Sequence, residues 1–433
     1  MKKYLYSRVV RTLMILLFVC SSLSSKSQNN PWEMIYRLPA AYAFHITDNG
    51  NMLIADFIFE FTGGIYVSTD KGENWNKTNV EDFNYTVFFE TENYVYAPGA
   101  ATKIARSADD GLTWEVISYA EAVEDELGEN LPYSVCYAIT SHDGKLFVGD
   151  FSGGGIVYSE DEGNTWNKTD IEPLKYVVDG KECVECIYNL ASYNGNLYAF
   201  GVYYVFKYIP EENSWEIIRD DSNFMAVSAF YQNKLCTARS VMNNSSTIPF
   251  ILTLDENETW GELPRPEGTV DLNIRSMYAD NDLLFVGMQQ TGLYYTSDAG
   301  LNWYAINEGI PFNTGTHFTP MFFRTDDEYV YLLAYEPPFS TTKNSGLYRL
   351  AKSDLPNYVG IDQTEEAEYV SFNGTHLQFT GKVEQIMICD MNGRNVKITI
   401  TDNNVNIDKL HNGIYLYNAI VDGKKISGKF LVK

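Results

Sequence analysis

The seven tryptophans of this 433-residue chain, Trp32, Trp75, Trp114, Trp166, Trp215, Trp260 and Trp303, recur every 39 to 52 residues. Each interval holds four short strand-like segments. A single four-stranded unit cannot bury its apolar faces alone, so a chain built from such units stacks them on one another. A period of about 40–50 residues with four strands per period predicts an all-β fold, a β-propeller.

Seven stretches alternate like half-buried strands: 40–55, 85–98, 134–149, 186–200, 224–238, 274–287 and 320–334. Most carry a turn signal in the middle, such as Asn49-Gly50, Asp143-Gly144 or Asn194-Gly195, so each reads as a hairpin of two strands, A and B. A third strand, C, follows, and strand D begins at the tryptophan. The last C strand, 346–350, has no tryptophan after it, and Trp32 has no C strand before it. The segment Trp32–Tyr36 is therefore expected to supply the outer strand of the seventh blade. Such a closure would join the ring non-covalently and remove two sheet edges that would otherwise be open.

Between C and D runs Ser-x-Asp-x-Gly-x-Thr/Asn-Trp. It occurs at Ser68, Asp70, Gly72 and Trp75, at Ser107, Asp109, Gly111 and Trp114, and at Ser159, Asp161, Gly163 and Trp166. A threonine replaces the serine before Asp298, Gly300 and Trp303, and the pattern decays before Trp260 and Trp215. The motif resembles the Asp-box of bacterial-neuraminidase-type repeats. Its chemistry is local: the carboxylate accepts backbone N–H groups, the glycine takes φ > 0 and the indole packs beneath. Too few oxygen ligands gather there for calcium, so neither a metal nor a cofactor is expected.

The ends read as addresses. Residues 1–27 carry Lys2, Lys3, Arg8 and Arg11 before a short apolar run, the pattern of a cleaved signal peptide. Residues 28–357 are expected to be the propeller. From 358 to 433 short strands follow, with the segments Asp390-Met-Asn-Gly393-Arg394, Leu410-His-Asn-Gly413-Ile414-Tyr415 and Lys429-Phe430-Leu-Val-Lys433. This stretch reads as a small antiparallel β-sandwich and resembles the C-terminal sorting domain of type IX secretion substrates. The resemblance implies handling by that secretion machinery and a destination on the outer cell surface or beyond it. The formal net charge of −25 argues against phosphate-backbone binding, so no nucleic-acid partner is expected. No later stretch is long and apolar enough to suggest a membrane span.

In a propeller the A–B and C–D turns share one face and the B–C and D–A connections the other. The Asp-box turns therefore mark one face, and the long insertions 118–132 and 169–183 mark the opposite one. The B–C connections add Phe57, Phe59 and Phe61 in blade one, with Tyr335, Glu336 and Phe339 in blade seven. Exposed aromatic loops suit a glycan or a protein partner. The segment Tyr36-Arg37-Leu38-Pro39 is similar to the arginine segment of sialidases. That resemblance would make Arg37 a carboxylate ligand, with Asp56 and Arg239, and Arg265 or Arg275, as further candidates. Carboxylate pairs of Asp56 with Asp150 or Glu336 would serve a glycosidase. Cys183 and Cys186 are expected to form a local disulfide in an exported chain. The reading that follows is a non-enzymatic binding protein for an extracellular glycan or protein. The alternatives are a sialidase-like or endoglucanase-like hydrolase, or an assembly scaffold resembling the photosystem assembly propellers.

Overall fold

The computed structural model describes residues 32–432, apart from 39–40, 57–62, 82, 221–224, 240–250, 268, 270–273, 290–291, 311–317, 337–343, 357–369, 373–375, 391–395, 397, 402, 408–409, 411–412 and 423. The chain divides into two units, Met1–Pro356 and Asn357–Lys433. The signal-peptide segment, Phe57, Phe59, Phe61 and Phe339 lie outside the described residues.

Among the described residues the first unit holds seven four-stranded antiparallel sheets. In the first sheet, strands A to D are Ala41–Ile46, Met52–Asp56, Gly64–Ser68 and Asn76–Glu81. The A strands of the others are Phe89–Glu90, Cys136–His142, Ile187–Tyr193, Met225–Tyr231, Ile274–Asp280 and Thr319–Thr325. In the seventh sheet the outer strand comes from the other end of the unit: Glu33–Arg37 pairs with Gly346–Ala351, Glu33 opposite Arg349 and Arg37 opposite Gly346.

Each sheet packs on the next through its A and B strands. Ala43, Leu53 and Ala55 of the first sheet share a core with Val95 and Ala97 of the second. Phe147 and Ala138 join Leu190 and Ala199. Ala229 and Cys236 join Met277 and Val286. Phe44 and Ile54 join Tyr331 and Leu333, so the last sheet packs on the first. B strands such as Met52–Asp56 and Leu283–Met288 are buried at every residue, which explains their unbroken apolar runs.

The turns between C and D repeat one hydrogen-bond pattern. Ser159 Oγ donates to Asp161 Oδ1 at 2.8 Å and accepts the Gly163 amide at 2.7 Å. Asp161 then accepts the Thr165 amide and hydroxyl at 2.8 and 2.7 Å. The same bonds recur at Ser68–Asn74, Ser107–Thr113 and Thr296–Asn302. The glycines sit at φ of 79° to 95°, where a Cβ would be strained. Trp75 and Trp114 close the turn by donating Nε1 to the carbonyls of Gly72 and Gly111, while Trp303 reaches Pro264 of the preceding sheet. Asp70 and Asp161 are held below the usual carboxylate range, the first mainly by the Asn74 side chain and the second mainly by the Thr165 amide.

Two insertions expected as loops are ordered elements instead. Residues 118–132 contain an α-helix, Ala120–Leu127, with Val123 and Leu127 buried one turn apart. Residues 169–183 contain a two-stranded hairpin, Lys175–Val178 with Lys181–Val184. The acidic composition of the first concealed its i, i+4 apolar pair.

In the second unit, Val370–Phe372, His376–Phe379, Thr399–Thr401 and Asn404–Asn406 form one sheet, and Val383–Asp390, Gly413–Val421 and Lys424–Val432 another. One core containing Leu377, Phe379, Ile388, Val405, Tyr417 and Val432 joins them, as a sandwich requires.

Candidate functional site

Six of the A strands, among the described residues, carry a bulge close to their start, one residue after the first in five of them and two after it in the seventh sheet. The extra residues are Tyr42, Tyr137, Tyr188, Ala226, Arg275 and Met321. A bulged residue leaves the ladder and re-aims its side chain. Tyr42 and Tyr137 hydrogen-bond to each other, although they belong to the first and third sheets. Arg275 of the sixth sheet acts electrostatically on both Tyr42 and Tyr188, and Tyr335 of the seventh acts on Tyr42. Residues of non-adjacent sheets meet in this way only if the bulges point to a common centre. Phe151 lies between Tyr137 and Tyr188, its ring 5.1 and 4.9 Å from theirs and nearly perpendicular to both. The A strands start and the B strands end on this side, so the cluster lies on the insertion-bearing face.

Burial pushes the Tyr42 phenol well above its ordinary value, with Arg275 pulling the other way. Burial also raises Tyr137, and raises Tyr188 to about 12. These groups are therefore neutral O–H donors at ordinary pH, and none is poised as a phenolate nucleophile. Arg275 is exposed, and its Nε and Nη2 both donate to Gln289 Oε1, at 3.2 and 3.1 Å.

The expected carboxylates are engaged with backbone. Asp56 is buried at the end of its B strand, accepts the Gly64 amide and is 3.4 Å from the Tyr66 hydroxyl. Burial raises its pKa. Asp150, at the same place in the third sheet, is buried and accepts the hydroxyls of Tyr119 and Ser134 and the amides of Ser152 and Gly154. In the fourth sheet the B strand ends at Gly201, and Glu185 arrives from the preceding connection to accept the Tyr203 amide at 2.6 Å. A carboxylate thus closes the B–C connection in three sheets, and in the fourth it is supplied from elsewhere in the sequence. Glu185 carries no motif, and only its convergence with Asp56 and Asp150 reveals it. Glu336 is nearly buried and accepts Asn344 Nδ2 at 2.9 Å.

The arginines are spread out. Arg37 is exposed at the end of the outermost strand of the seventh sheet, three strand spacings or roughly 14 Å from the innermost strand. Arg239 ends the B strand of the fifth sheet, opposite Met225. The structure does not bring Arg37 to the cluster of Arg275. The tyrosines themselves were not legible beforehand, because a bulge has no sequence signal in a chain with 32 of them. Cys183 and Cys186 are both free thiols, correcting the expected disulfide. Cys183 sits in the hairpin, paired across it with Tyr176, and Cys186 lies beyond the strand end. Burial, then the Glu185 carboxylate, pushes Cys186 to about 11. Among the described residues no group of three or more His, Cys, Asp or Glu could hold a metal ion.

Comparison with known proteins agrees with this architecture. No curated protein matches the chain by sequence. Among solved structures, YCF48 bound to D1 peptide has a TM-score of 0.52 at 16% identity, covering 75% of this chain and 98% of that one. YCF48 from Cyanidioschyzon merolae has 0.52 at 12%, covering 75% and 100%. The extracellular domain of the one-component system BT4673 from B. thetaiotaomicron has 0.50 at 13%, covering 93% of this chain but only 59% of that one. At such identities the likeness concerns fold alone, and the fold is propeller-like. No described helix is long and apolar enough to cross a membrane. Residues 369–433 match the family described as secretion system C-terminal sorting domain, so the second unit is a type IX sorting tail and the chain an exported protein.

Proposed function

We propose that this chain is an exported seven-bladed Asp-box propeller, closed through its N-terminal strand, that binds an extracellular glycan or protein without catalysis. The tail would deliver it to the cell surface or release it beyond. The carrying observation is the placement of Tyr42, Tyr137, Tyr188 and Arg275 at equivalent bulges on the insertion-bearing face, with Phe151 packed between two of the rings. Partly exposed aromatics with one cation suit recognition, since they supply area and hydrogen bonds at low entropic cost. Against a hydrolase stand Asp56 and Asp150, both occupied by backbone amides, and phenols held neutral. YCF48, of similar fold, is bound to D1 peptide in its structure, which supports a protein partner and the scaffold reading.

The test is a glycan array and a peptide array run beside a panel of chromogenic glycosides. Saturable binding without turnover is expected. Turnover that survives repurification would replace the binding reading with a hydrolase. Deleting residues 358–433 should abolish delivery outside the cell in a type IX-competent host, as fractionation would read.

A further inference from the structure

We propose that the central cluster receives a single carboxylate, the free C-terminus of an extended peptide, with Arg275 as the group that binds it. This rests on the reading that the insertion-bearing face binds an extracellular ligand, and it names the chemistry of that ligand.

Arg275 is unusual in its surroundings. The chain has 57 acidic side chains against 32 Lys and Arg. Among the described residues, however, no carboxylate forms an ion pair with Arg275. The candidate acids on this face are held by backbone or neighbouring side chains: Asp56 by Gly64, Asp150 by Ser152 and Gly154, Glu185 by Tyr203 and Glu336 by Asn344. Gln289 fixes the guanidinium along its Nε edge, and its own Nε2 donates to Thr319 Oγ1 at 3.3 Å. The Nη1 end carries two further N–H donors in a fixed plane. A guanidinium held by a neutral amide keeps its full charge for a ligand and loses little entropy on binding.

The surrounding groups select an anion over a neutral ring. Tyr42 and Tyr137 already share one hydrogen bond, so one O–H of that pair is left to donate to a carboxylate oxygen beside the guanidinium. Phe151 meets Tyr137 and Tyr188 at 88° and 76°, so these rings pack on one another and are poor platforms for a pyranose. Net charge then chooses among anions. A chain at −25 repels a polyuronate at every unit. A peptide end brings one negative charge to Arg275, and a neutral or basic body behind it is tolerated or attracted. Capture of a chain-end carboxylate is an established recognition mode.

Residues 28–433 would be applied to an array of neutral and basic decapeptides with free C-termini. The same sequences as C-terminal amides, oligogalacturonates and neutral glycans share the surface. Free-acid peptides should bind, and amidation and Arg275→Gln should each weaken binding at least tenfold. Arg275→Lys should restore part of the loss. Because Arg275 is exposed, Arg275→Gln should leave the circular dichroism spectrum and thermal midpoint unchanged. Equal binding of acids and amides, or indifference to Arg275→Gln, overturns the assignment. Arg275-dependent binding of uronates alone keeps the carboxylate and overturns the peptide. Neutral-glycan binding indifferent to Arg275→Gln overturns this inference and leaves the general binding reading standing. Silence of the folded protein on every surface overturns both.

Discussion

The indole Nε1 of Trp32 donates a 2.7 Å hydrogen bond to the carbonyl of Ile306, 274 residues away, and the Trp32 amide donates to Glu308 at 3.0 Å. Trp32 thereby ties the N-terminal strand of the seventh sheet to the end of the sixth, where it is 4% exposed. The tryptophan that lacks a C strand before it is the one whose loss should loosen the whole first unit. Trp32→Ala should cost about 3–5 kcal/mol, the range for large aromatics removed from a core. Urea unfolding should show a lower midpoint with an unchanged slope. A shift below about 1 kcal/mol would mean that the N-terminal strand contributes little.

The fully buried Ser159 hydroxyl holds three bonds in its turn, one to the Asp161 carboxylate, one from the Asp161 amide and a shorter one from the Gly163 amide. Ser159→Ala leaves the Gly163 amide without its acceptor. An unsatisfied buried N–H costs about 1–3 kcal/mol, and thermal unfolding should register that loss. Ser159→Thr should be milder, because Thr296 occupies the equivalent place with the same bonds. If the threonine variant is as unstable as the alanine one, bulk and not the hydroxyl governs the turn.

Much of the architecture was legible because it is periodic. Trp75, Trp114 and Trp166 each precede a D strand, and their turns form the same bonds. The central cluster was not legible, because a single inserted residue in a half-alternating strand leaves no pattern. Tyr42, Tyr137 and Tyr188 gain meaning only from register shifts across sheets far apart in sequence. Asp56 and Asp150 were visible as carboxylates at strand ends, but their engagement by amides within eight residues was not. The B–C loop aromatics Phe57, Phe59 and Phe61 fall outside the described residues.

His45 should give the first unit a mildly acid-sensitive stability. It is largely buried at the seam of the first two sheets, 2.8 Å from Glu90. Burial lowers its pKa below 6.5, the Glu90 hydrogen bond opposing and Arg324 reinforcing the shift, while Glu90 and Asp48 add opposing charge. Below about pH 6.5 the unfolded chain takes up a proton that the folded one refuses, so stability falls with pH there. The thermal midpoint should decline from pH 7 to 5.5 more steeply in the native chain than in His45→Gln. Parallel curves would show that Glu90 offsets the burial completely.

Gly201 and Glu185 offer the sharpest single-site test of how the insertion-bearing face is held. A Cβ at Gly201 would lie 2.4 Å from both Cγ and Oε1 of Glu185. The carboxylate is fully buried, and it accepts the Tyr203 amide. Gly201→Ala must therefore displace it and leave that amide unmet, at a cost of about 1–3 kcal/mol. Glu185→Ala removes the same acceptor by another route. If both changes act through this one bond, the double variant should be no less stable than the worse single one, the non-additivity expected of residues in contact. Additive losses would separate the two roles, making Gly201 a packing residue and Glu185 an independent anchor of the connection beside Tyr188.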